Sequence, residues 1–330
     1  MINQIPLSPD VLSHEPHANE LSYLGRARLA LGAIGLTGAM LLAPEVATAA
    51  DDTVAVSQQK AAMSAKEAFQ TCQDSVRIVA HVTSDPNSKN RFSANTNEWI
   101  KNEIRIGHKI IEIDAQVSSD NTFFGFHDRL LDANTRNGKG VAHLKESGYL
   151  KKLRTRTGDR LIDADDLIDT LLRKPDIELQ HEFKDYDRQW TGSRLKAWFQ
   201  KYNDAGVISQ INVSSASPRV IKWFADNQPD ALPDRQLIGF LTKLPSLRLA
   251  KSIGATQVNV TSEAAFRNDA QYLKQAQRMG LRTSVRSRPD GQGDDGQTWL
   301  RAIQNGVDQI VTQGPTKFSV CRAVLKAARR

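Results

Sequence analysis

Long hydrophobic runs, cysteines and aromatic residues are all scarce in this chain of 330 residues. Its most hydrophobic run, residues 29–43, has about 15 residues, whereas a membrane-spanning helix needs about 20. This excludes a polytopic membrane protein. Aromatic residues make up 6% of the chain, so the core must consist mainly of Ile, Leu, Val and Ala. With 40% hydrophobic and 25% charged residues, the composition is that of a globular protein and excludes a disordered or fibrous chain.

The hydrophobic run at 29–43 has the surroundings of an export signal. Arg26 and Arg28 precede it and Ala47-Thr48-Ala49 follows it, so a basic start, a short apolar centre and a small-x-small cleavage site occur in order. We therefore expect residues 1–50 to be a leader and signal peptide, and the protein to be secreted or periplasmic after cleavage near Ala49. An N-terminal anchor or a buried helix is the alternative.

The charge balance is basic, with 44 Lys and Arg against 37 Asp and Glu, a net charge of +7. Such a balance favours anionic partners, which include phosphate esters, membrane surfaces and nucleic acid, although most basic surfaces are simply solvated. No nucleic-acid-binding motif occurs. The charge balance does not choose among these partners, and we infer neither a nucleic-acid nor a protein partner from the sequence.

Residues 76–320 alternate short β-branched runs with amphipathic stretches, which is the pattern of βαβ units. We expect strands at 77–82, 109–117, 122–128, 177–184, 209–215, 236–242, 256–261, 282–287 and 307–312. The second and third runs are too close for a parallel crossover, so the third must return as a hairpin. Eight strands remain for a parallel sheet. This predicts a (β/α)8 TIM-type barrel with a β-hairpin extension and a small insertion, residues 129–160, after strand 2.

An open, doubly wound sheet is the alternative fold, and the lack of any glycine-rich phosphate loop after a strand counts against it. We expect helices at 191–205, 217–227, 264–279 and 296–305, with Gly206 and Gly280 at two helix ends. Residues 51–75 are expected to form a linker into the barrel, and 321–330 a basic C-terminal tail. Cys72 and Cys321 lie near the two ends of the barrel, which are neighbours in space. A disulfide and two free, buried thiols are equally compatible with the sequence.

Six titratable side chains interrupt or close these strands, where apolar residues are the rule. They are His81, Glu112, Asp114, His127, Glu182 and Lys184. Glu112 and Asp114 are two residues apart, so both point to one face of their strand, and Glu182 and Lys184 repeat this spacing. Active sites of barrels lie at the carboxyl ends of the strands. Three carboxylates that converge there repel one another unless a cation neutralises them, and oxygen ligands favour Mg²⁺ or Ca²⁺.

The order of these residues resembles that of the glycerophosphodiester phosphodiesterases, metal-dependent enzymes with a (β/α)8 barrel. The resemblance extends from about Val76 to Thr316. Asn137-Gly138-Lys139-Gly140 is similar to the glycine-containing stretch that follows the His-Asp of the family, and residues 306–312, GVDQIVT, are similar to its closing Gly-Val-Asp-x-Ile-x-Thr segment. The resemblance implies one divalent cation, Mg²⁺ or Ca²⁺, bound by Glu112, Asp114 and Glu182. It also implies His81 and His127 as the acid–base pair and Lys184 as a phosphate contact.

Three segments depart from the family pattern. Val82-Thr83 follow His81 where the family has Arg-Gly, so the arginine that would bind phosphate is missing there. The Glu-Asn-Thr of the family is replaced by Ala94-Asn95-Thr96, which removes one acidic group. Residues 283–286, TSVR, stand where the family has Trp-Thr-Val-Asn, and we expect Arg286 at this strand end to supply the phosphate contact. Ordinary surface charge is the alternative for Arg286.

The resemblance implies an exported hydrolase that cleaves glycerophosphodiesters to glycerol phosphate and an alcohol. Two other functions stay open. The first is a related phospholipase, sphingomyelinase D-like or phosphatidylinositol-cleaving, that acts on intact lipid, and the missing Arg-Gly and the basic charge favour it. The second is a catalytically silent binding barrel, against which the presence of both histidines and all three carboxylates argues.

Overall fold

The computed structural model describes residues 63–81, 92–232, 234–239, 244–287, 294–313 and 315–330. The described residues all belong to Lys60–Arg330, the second of the two units into which the chain divides. The predicted signal peptide and Val82-Thr83 therefore lie outside the described residues. Within these ranges, none of the helices combines the length and the apolar character that crossing a bilayer requires.

The strands of the second unit form one closed sheet. They are β1 (Arg77–Ala80), β2 (Ile110–Val117), β3 (Phe123–Gly125), β4 (Glu178–Phe183), β5 (Ile211–Ser215), β6 (Arg235–Ile238), β7 (Gln257–Thr261), β8 (Arg282–Arg286) and β9 (Gln309–Thr312). Eight of them run parallel, and β1 pairs with both β2 and β9, so the sheet closes into a barrel. β3 pairs antiparallel with the end of β2. This confirms the predicted TIM-type barrel with its hairpin extension and excludes the open sheet.

Helices lie between the strands along the chain. They are α1 (Ala65–Asp74), α2 (Asn97–Ile106), α3 (Ser147–Leu150), α4 (Ala164–Arg173), α5 (Gly192–Asp204), α6 (Pro218–Asn227), α7 (Leu247–Ser252), α8 (Ser262–Ala265), α9 (Gln271–Arg278), α10 (Gly296–Gln304) and α11 (Lys317–Ala327). The predicted helices at 191–205, 217–227 and 296–305 match α5, α6 and α10. The single helix predicted at 264–279 is wrong. It is divided into α8 and α9 by Asn268, Asp269 and Ala270, which have left-handed φ angles of 47°, 54° and 58°.

Two segments that the sequence placed outside the barrel are helical. α1 lies within the predicted linker and begins at a capping box, in which Ser64 and Glu67 satisfy each other's backbone N–H groups. α11 continues to Ala327, into the predicted basic tail. The two helices pack together, and a disulfide joins Cys72 of α1 to Cys321 of α11, with their Cα atoms 5.6 Å apart. Of the two states that the sequence left open for these cysteines, the structure contains the bridge.

The predicted insertion at 129–160 is a small folded unit with little regular structure. It contains the 3₁₀ turns Leu131–Ala133 and Ala142–Leu144 and the short helix α3. Isolated bridges join Leu130 to Val141 and Thr135 to Thr155. Its apolar side chains pack with those of the β3 region into a cluster of their own, made of Phe124, Phe126, Leu131, Ala142, Leu150, Leu153 and Leu161. The insertion is therefore fixed to the hairpin that extends β2.

The two faces of the strands differ in polarity. Outward-facing side chains pack against the helices, and around β4 they meet an aromatic cluster in which Phe183 lies 4.9 Å from Trp198 and 5.1 Å from Phe224 between ring centroids. Other buried strand positions are polar and are linked by hydrogen bonds between strands. They include Gln180, Gln236, Asn259, Ser284 and Gln309. This polar layer adjoins the carboxylates described next.

Candidate active site

Three carboxylates converge on adjacent strands of the barrel. One oxygen each of Glu112, Asp114 and Glu182 lies within 4.8 Å of the others, and the three residues are 5%, 5% and 6% exposed. The sheet register explains the convergence, because Asp114 on β2 is directly opposite Glu182 on β4. Among the described residues, this is the one group of three or more acidic, His or Cys side chains close enough to share a metal ion.

Lys184 follows β4 directly and turns its ammonium group into this cluster. Its Nζ lies 3.0 Å from Asp114 Oδ1 and forms a short ion pair with Glu182. The lysine side chain is 11% exposed. The sequence predicts that Lys184 contacts a phosphate. The structure places it beside the predicted metal ligands, where it would also adjoin an anion held at the cluster.

The pKa values of the three carboxyl groups and of Lys184 follow from this arrangement. Burial, together with the neighbouring Glu182 and Asp114, raises the pKa of Glu112 well above its ordinary value. Burial alone would also raise the pKa values of Asp114 and Glu182, but Lys184 lowers both below the ordinary range. Despite its burial, Lys184 has a raised pKa because Asp114 and Glu182 favour its charged form. The cluster therefore has more carboxylates than one ammonium group neutralises.

His81 lies beside Glu112. It directly follows β1, whose last residue, Ala80, pairs with Ile111 of β2, so His81 is level with Glu112. The distance from His81 Nε2 to Glu112 Oε1 is 3.6 Å, and the ring Nδ1 lies 3.3 Å from the side-chain amide of Gln313. Burial lowers the pKa of His81 to about 4, against the opposing effect of Asp114 and Glu182.

His127 is the second histidine at the cluster, and it lies just beyond the hairpin strand β3. Its Nδ1 is 2.9 Å from Asp128 Oδ1, and its side chain is 35% exposed. The nearby Asp114 carboxylate raises the pKa of His127, although burial opposes the effect. Tyr186 donates a hydrogen bond to the backbone carbonyl of His127, with an O···O distance of 2.9 Å. His81 thus lies beside Glu112, and His127 lies beside Asp114.

Arg286 ends β8, and its guanidinium donates to the carbonyl of Gly239 at 2.6 Å. Its positive charge lowers the pKa values of His81 and Glu182, so the guanidinium lies near the cluster. The structure therefore brings all seven predicted site residues to one end of the barrel. The roles of Arg286 and Lys184 as phosphate contacts stay predictions.

Sequence reasoning missed the amide side chains around the carboxylates. Asn95 donates to Asp114 Oδ2 at 2.6 Å, and Gln180 donates to Glu112 Oε2 at 3.1 Å. Asn95 belongs to a segment that the sequence comparison treated as a departure from the family. Gln180 precedes Glu182 by two residues on the same strand and so shares its face. That spacing was the one signal that could have identified it.

The donor set fits a hard divalent cation. Glu112 Oε1 and Asp114 Oδ1 are buried and accept no hydrogen bond, although Asp114 Oδ1 has the ion pair with Lys184. Buried oxygens without hydrogen bonds are costly. An all-oxygen, carboxylate-rich set is the type that Mg²⁺ and Ca²⁺ prefer. The residues can therefore hold such an ion.

The comparisons with known proteins agree with this geometry at the level of the fold. No protein-family model matches the sequence. No curated protein matches it in a sequence search. Solved structures match over most of the chain. A glycerophosphodiester phosphodiesterase from Agrobacterium tumefaciens has 20% identity and a TM-score of 0.58, and covers 75% of this chain and 99% of its own.

Two further structures match to a similar degree. A glycerophosphodiester phosphodiesterase from Parabacteroides distasonis has 20% identity and a TM-score of 0.60, covering 78% of this chain and 99% of its own. An Oleispira antarctica phosphodiesterase in complex with the product sn-glycerol-3-phosphate has 15% identity and a TM-score of 0.59, covering 78% and 98%. The resemblance first seen in the strand-end residues thus extends to the whole barrel, and this chain has the fold of the glycerophosphodiester phosphodiesterases.

Proposed function

We propose that this chain is a metal-dependent phosphoric diester hydrolase that cleaves glycerophosphodiesters to glycerol phosphate and an alcohol. The observation that carries the proposal is the buried cluster of Glu112, Asp114 and Glu182, with one histidine beside Glu112 and another beside Asp114. The similarity in fold to phosphodiesterases, one of them holding sn-glycerol-3-phosphate, supports the same substrate class.

The site residues can be given roles from their contacts. Glu112, Asp114 and Glu182 would hold the cation, which when bound supplies positive charge opposite the phosphoryl oxygens. Lys184 and Arg286 would add cationic groups near the same oxygens. Nδ1 of His81 lies against Gln313, and Nδ1 of His127 lies against Asp128, so Nε2 is the nitrogen that each ring offers to the substrate.

Proton transfer would take place at these two Nε2 atoms. One imidazole removes the proton from the nucleophile, which is water or the neighbouring hydroxyl of the glycerol group. The other imidazole donates a proton to the leaving alkoxide. Attack by the neighbouring hydroxyl would give a cyclic phosphate that is then opened by water.

Activity on glycerophosphocholine, with and without a chelator, is the direct test. We expect release of glycerol phosphate that stops when EDTA is added and returns with Mg²⁺ or Ca²⁺. Glu112→Gln should abolish both turnover and the cation-dependent rise in melting temperature, because stabilisation by a ligand follows its affinity for the folded state. Chelator-insensitive hydrolysis, or a full thermal shift in Glu112→Gln, would contradict the metal site.

Intact lipid is a second candidate substrate, which the insertion at 129–160 favours. This segment has nine Lys and Arg against three Asp and Glu, a net charge of +6. It also exposes apolar side chains, since Leu144 is 65% exposed and Leu130 is 42% exposed. The insertion begins at Arg129, two residues after His127 of the candidate site. A basic surface with exposed apolar groups suits an anionic lipid interface.

Vesicles separate the two substrate classes. If the enzyme acts on intact lipid, turnover on anionic phospholipid vesicles should exceed turnover on glycerophosphocholine at equal phosphodiester concentration. Leu144→Ser should then lower only the vesicle reaction. Leu172→Ser on α4 is the matched control, because Leu172 is 59% exposed but lies outside the insertion. If Leu144→Ser and Leu172→Ser change turnover on vesicles equally, the result would contradict intact lipid as the substrate.

Export to an oxidising compartment is also part of this proposal. The disulfide between Cys72 and Cys321 supports it, because such bonds persist outside the reducing cytosol. Mass spectrometry of the protein recovered from its native compartment should give a chain that begins just after Ala49. An uncleaved N-terminus in a cytosolic fraction would contradict this part of the proposal.

A further inference from the structure

Two buried amide side chains each hold one oxygen of a carboxylate in the cluster. Asn95 Nδ2 donates to Asp114 Oδ2 at 2.6 Å, and Asn95 Oδ1 accepts from the backbone N–H of Asp114 at 2.8 Å. Gln180 Nε2 donates to Glu112 Oε2 at 3.1 Å. Asn95 and Gln180 are 4% and 3% exposed, so water competes little for these hydrogen bonds.

The other oxygens of the same two carboxylates are left without hydrogen bonds. Glu112 Oε1 and Asp114 Oδ1 are both buried and accept none. Glu112 Oε1 lies 3.6 Å from His81 Nε2, and Asp114 Oδ1 has the ion pair with Lys184, whose Nζ is 3.0 Å away. Each amide thus occupies one oxygen of its carboxylate and leaves the other oxygen to the charged groups of the cluster.

We infer that Asn95 and Gln180 are positioning residues that determine which oxygen of Asp114 and of Glu112 is presented to the divalent cation. The inference rests on the metal site of the proposed function. Partners of this kind fix the orientation of a ligand before the metal arrives, and losing one typically weakens metal affinity by about 10–100-fold.

The surroundings of Asn95 hold it in a single orientation. Its backbone has a left-handed φ of 61°, a conformation that Asn adopts more readily than most residues. Its carbonyl accepts from the N–H of Ile162 at 3.2 Å. A Cβ atom on Gly125 would lie 3.2 Å from the Cβ of Asn95, so the hairpin leaves little space around it. The Asn95 amide is therefore rigid with respect to β2.

Gln180 is oriented by the polar layer inside the barrel. Its Oε1 accepts from Gln309 Nε2 at 3.0 Å, and Gln309 Nε2 also donates to Ser284 Oγ at 3.2 Å. The Nε2 atom of Gln180 donates to Gln236 Oε1 at 3.2 Å as well as to Glu112. Because the oxygen of Gln180 is already engaged by a donor, its NH₂ group is the end that faces Glu112. Hydrogen bonds to side chains on other strands of the barrel thus fix a single orientation of the Gln180 amide.

Calorimetric titration with Mg²⁺ or Ca²⁺ alone, without substrate, tests the inference. Gln180→Met removes the donor at similar volume, and Asn95→Gly removes the amide while keeping a residue that tolerates positive φ. We expect each variant to bind the cation about 10–100-fold more weakly than the wild type. The matched control is Asn259→Leu, which removes a buried amide from the same layer whose hydrogen bond goes to Gln236 and not to Gln180 or a carboxylate. Its affinity should change by less than about threefold.

The outcomes separate this inference from the proposed function. Wild-type affinity in both Gln180→Met and Asn95→Gly, together with lost binding in Glu112→Gln, would overturn the positioning role and leave the metal site intact. Equal losses in Gln180→Met and Asn259→Leu would also overturn it, because the effect would then be a general loosening of the barrel. A wild-type protein that binds neither cation would overturn the metal site and the positioning role together. If one of the two variants does not fold, the other decides the result.

Discussion

Three of the histidines around β1–β4 show how strongly position decides what a side chain can do. His81 and His127 adjoin the carboxylates, whereas His181 directly precedes Glu182 but points to the opposite face of β4. There its ring packs between Trp198 and Tyr202, with centroids 5.3 and 5.2 Å away. Burial lowers the pKa of His181 to about 3, so it stays neutral as part of the core.

Substitution of each histidine by Ala should separate catalysis from stability. His81→Ala and His127→Ala are each expected to lower kcat by at least about 10²-fold, because general acid–base groups typically contribute about 10²–10⁴-fold. Metal-dependent thermal stabilisation should be retained in both. The double variant should lose less than the product of the single effects, since the two groups act on one proton-transfer sequence.

His181→Ala is the internal control for this series. Its loss leaves a cavity among aromatic rings, so unfolding should become easier by roughly 2–4 kcal/mol while kcat changes little. Urea denaturation and steady-state kinetics on the same three variants provide the measurements. Near-normal turnover in His127→Ala, combined with lost turnover in His181→Ala, would show that the site is assigned to the wrong face.

The candidate site could be predicted only in part from single residues. His81, Glu112, Asp114, His127 and Glu182 stood out because each places a titratable group where a buried strand should be apolar. Asn95 and Gln180 did not, because an amide in a loop or a strand has many ordinary uses and only its partner reveals its role. That partner depends on strand register, which pairs Asp114 with Glu182 and Glu112 with Gln180, and register is fixed by tertiary packing.

At the scale of elements, the strands were predictable and some helices were not. Nine β-branched runs correspond to the nine described strands, because burial on both faces gives parallel strands a strong apolar signal. α1 and α11 lack such a signal, and their packing on each other through Cys72 and Cys321 is what stabilises them. The break between α8 and α9 arises because three consecutive residues have left-handed φ angles. The spacing of apolar residues along a helix does not reveal such a break.

The contact between α10 and α11 provides a prediction about one helix end. A Cβ atom on Gly296, the first residue of α10, would lie 2.6 Å from the carbonyl oxygen of Ala323 on α11. Gly296→Ala must therefore push the two helices apart and should lower the free energy of unfolding by roughly 1–3 kcal/mol. Gly148→Ala in α3 meets no atom within 4 Å and should leave stability unchanged or raise it slightly. Equal urea midpoints for the two variants would contradict the close packing.

At the scale of the whole molecule, the barrel joins the two ends of its own chain. β1 and β9 are neighbours in the sheet, and α1 and α11, which precede and follow them, pack together outside it. The disulfide between Cys72 and Cys321 spans 249 residues of sequence, nearly all of the second unit. Closure of the barrel was predictable from the strand count. The choice between bridge and free thiols was not, because it depends on the relative positions of two helices that the sequence did not reveal.

Loss of this bridge should destabilise the protein mainly through the unfolded chain. A loop of this length restricts the unfolded ensemble, and in the chain-entropy model its removal costs roughly 3–5 kcal/mol. The double variant Cys72→Ala/Cys321→Ala should therefore unfold at lower urea concentration, and its transition should be steeper because an unbridged chain exposes more surface on unfolding. Reduced wild-type protein should behave like the variant.

Both half-cystines lie in an aliphatic cluster with Ala68, Val320 and Val324, so turnover below the transition should be unchanged. A variant with the wild-type midpoint would show that the bridge adds nothing to stability. A lower midpoint without a steeper transition would place its effect in the packing of α1 on α11 and not in the unfolded chain.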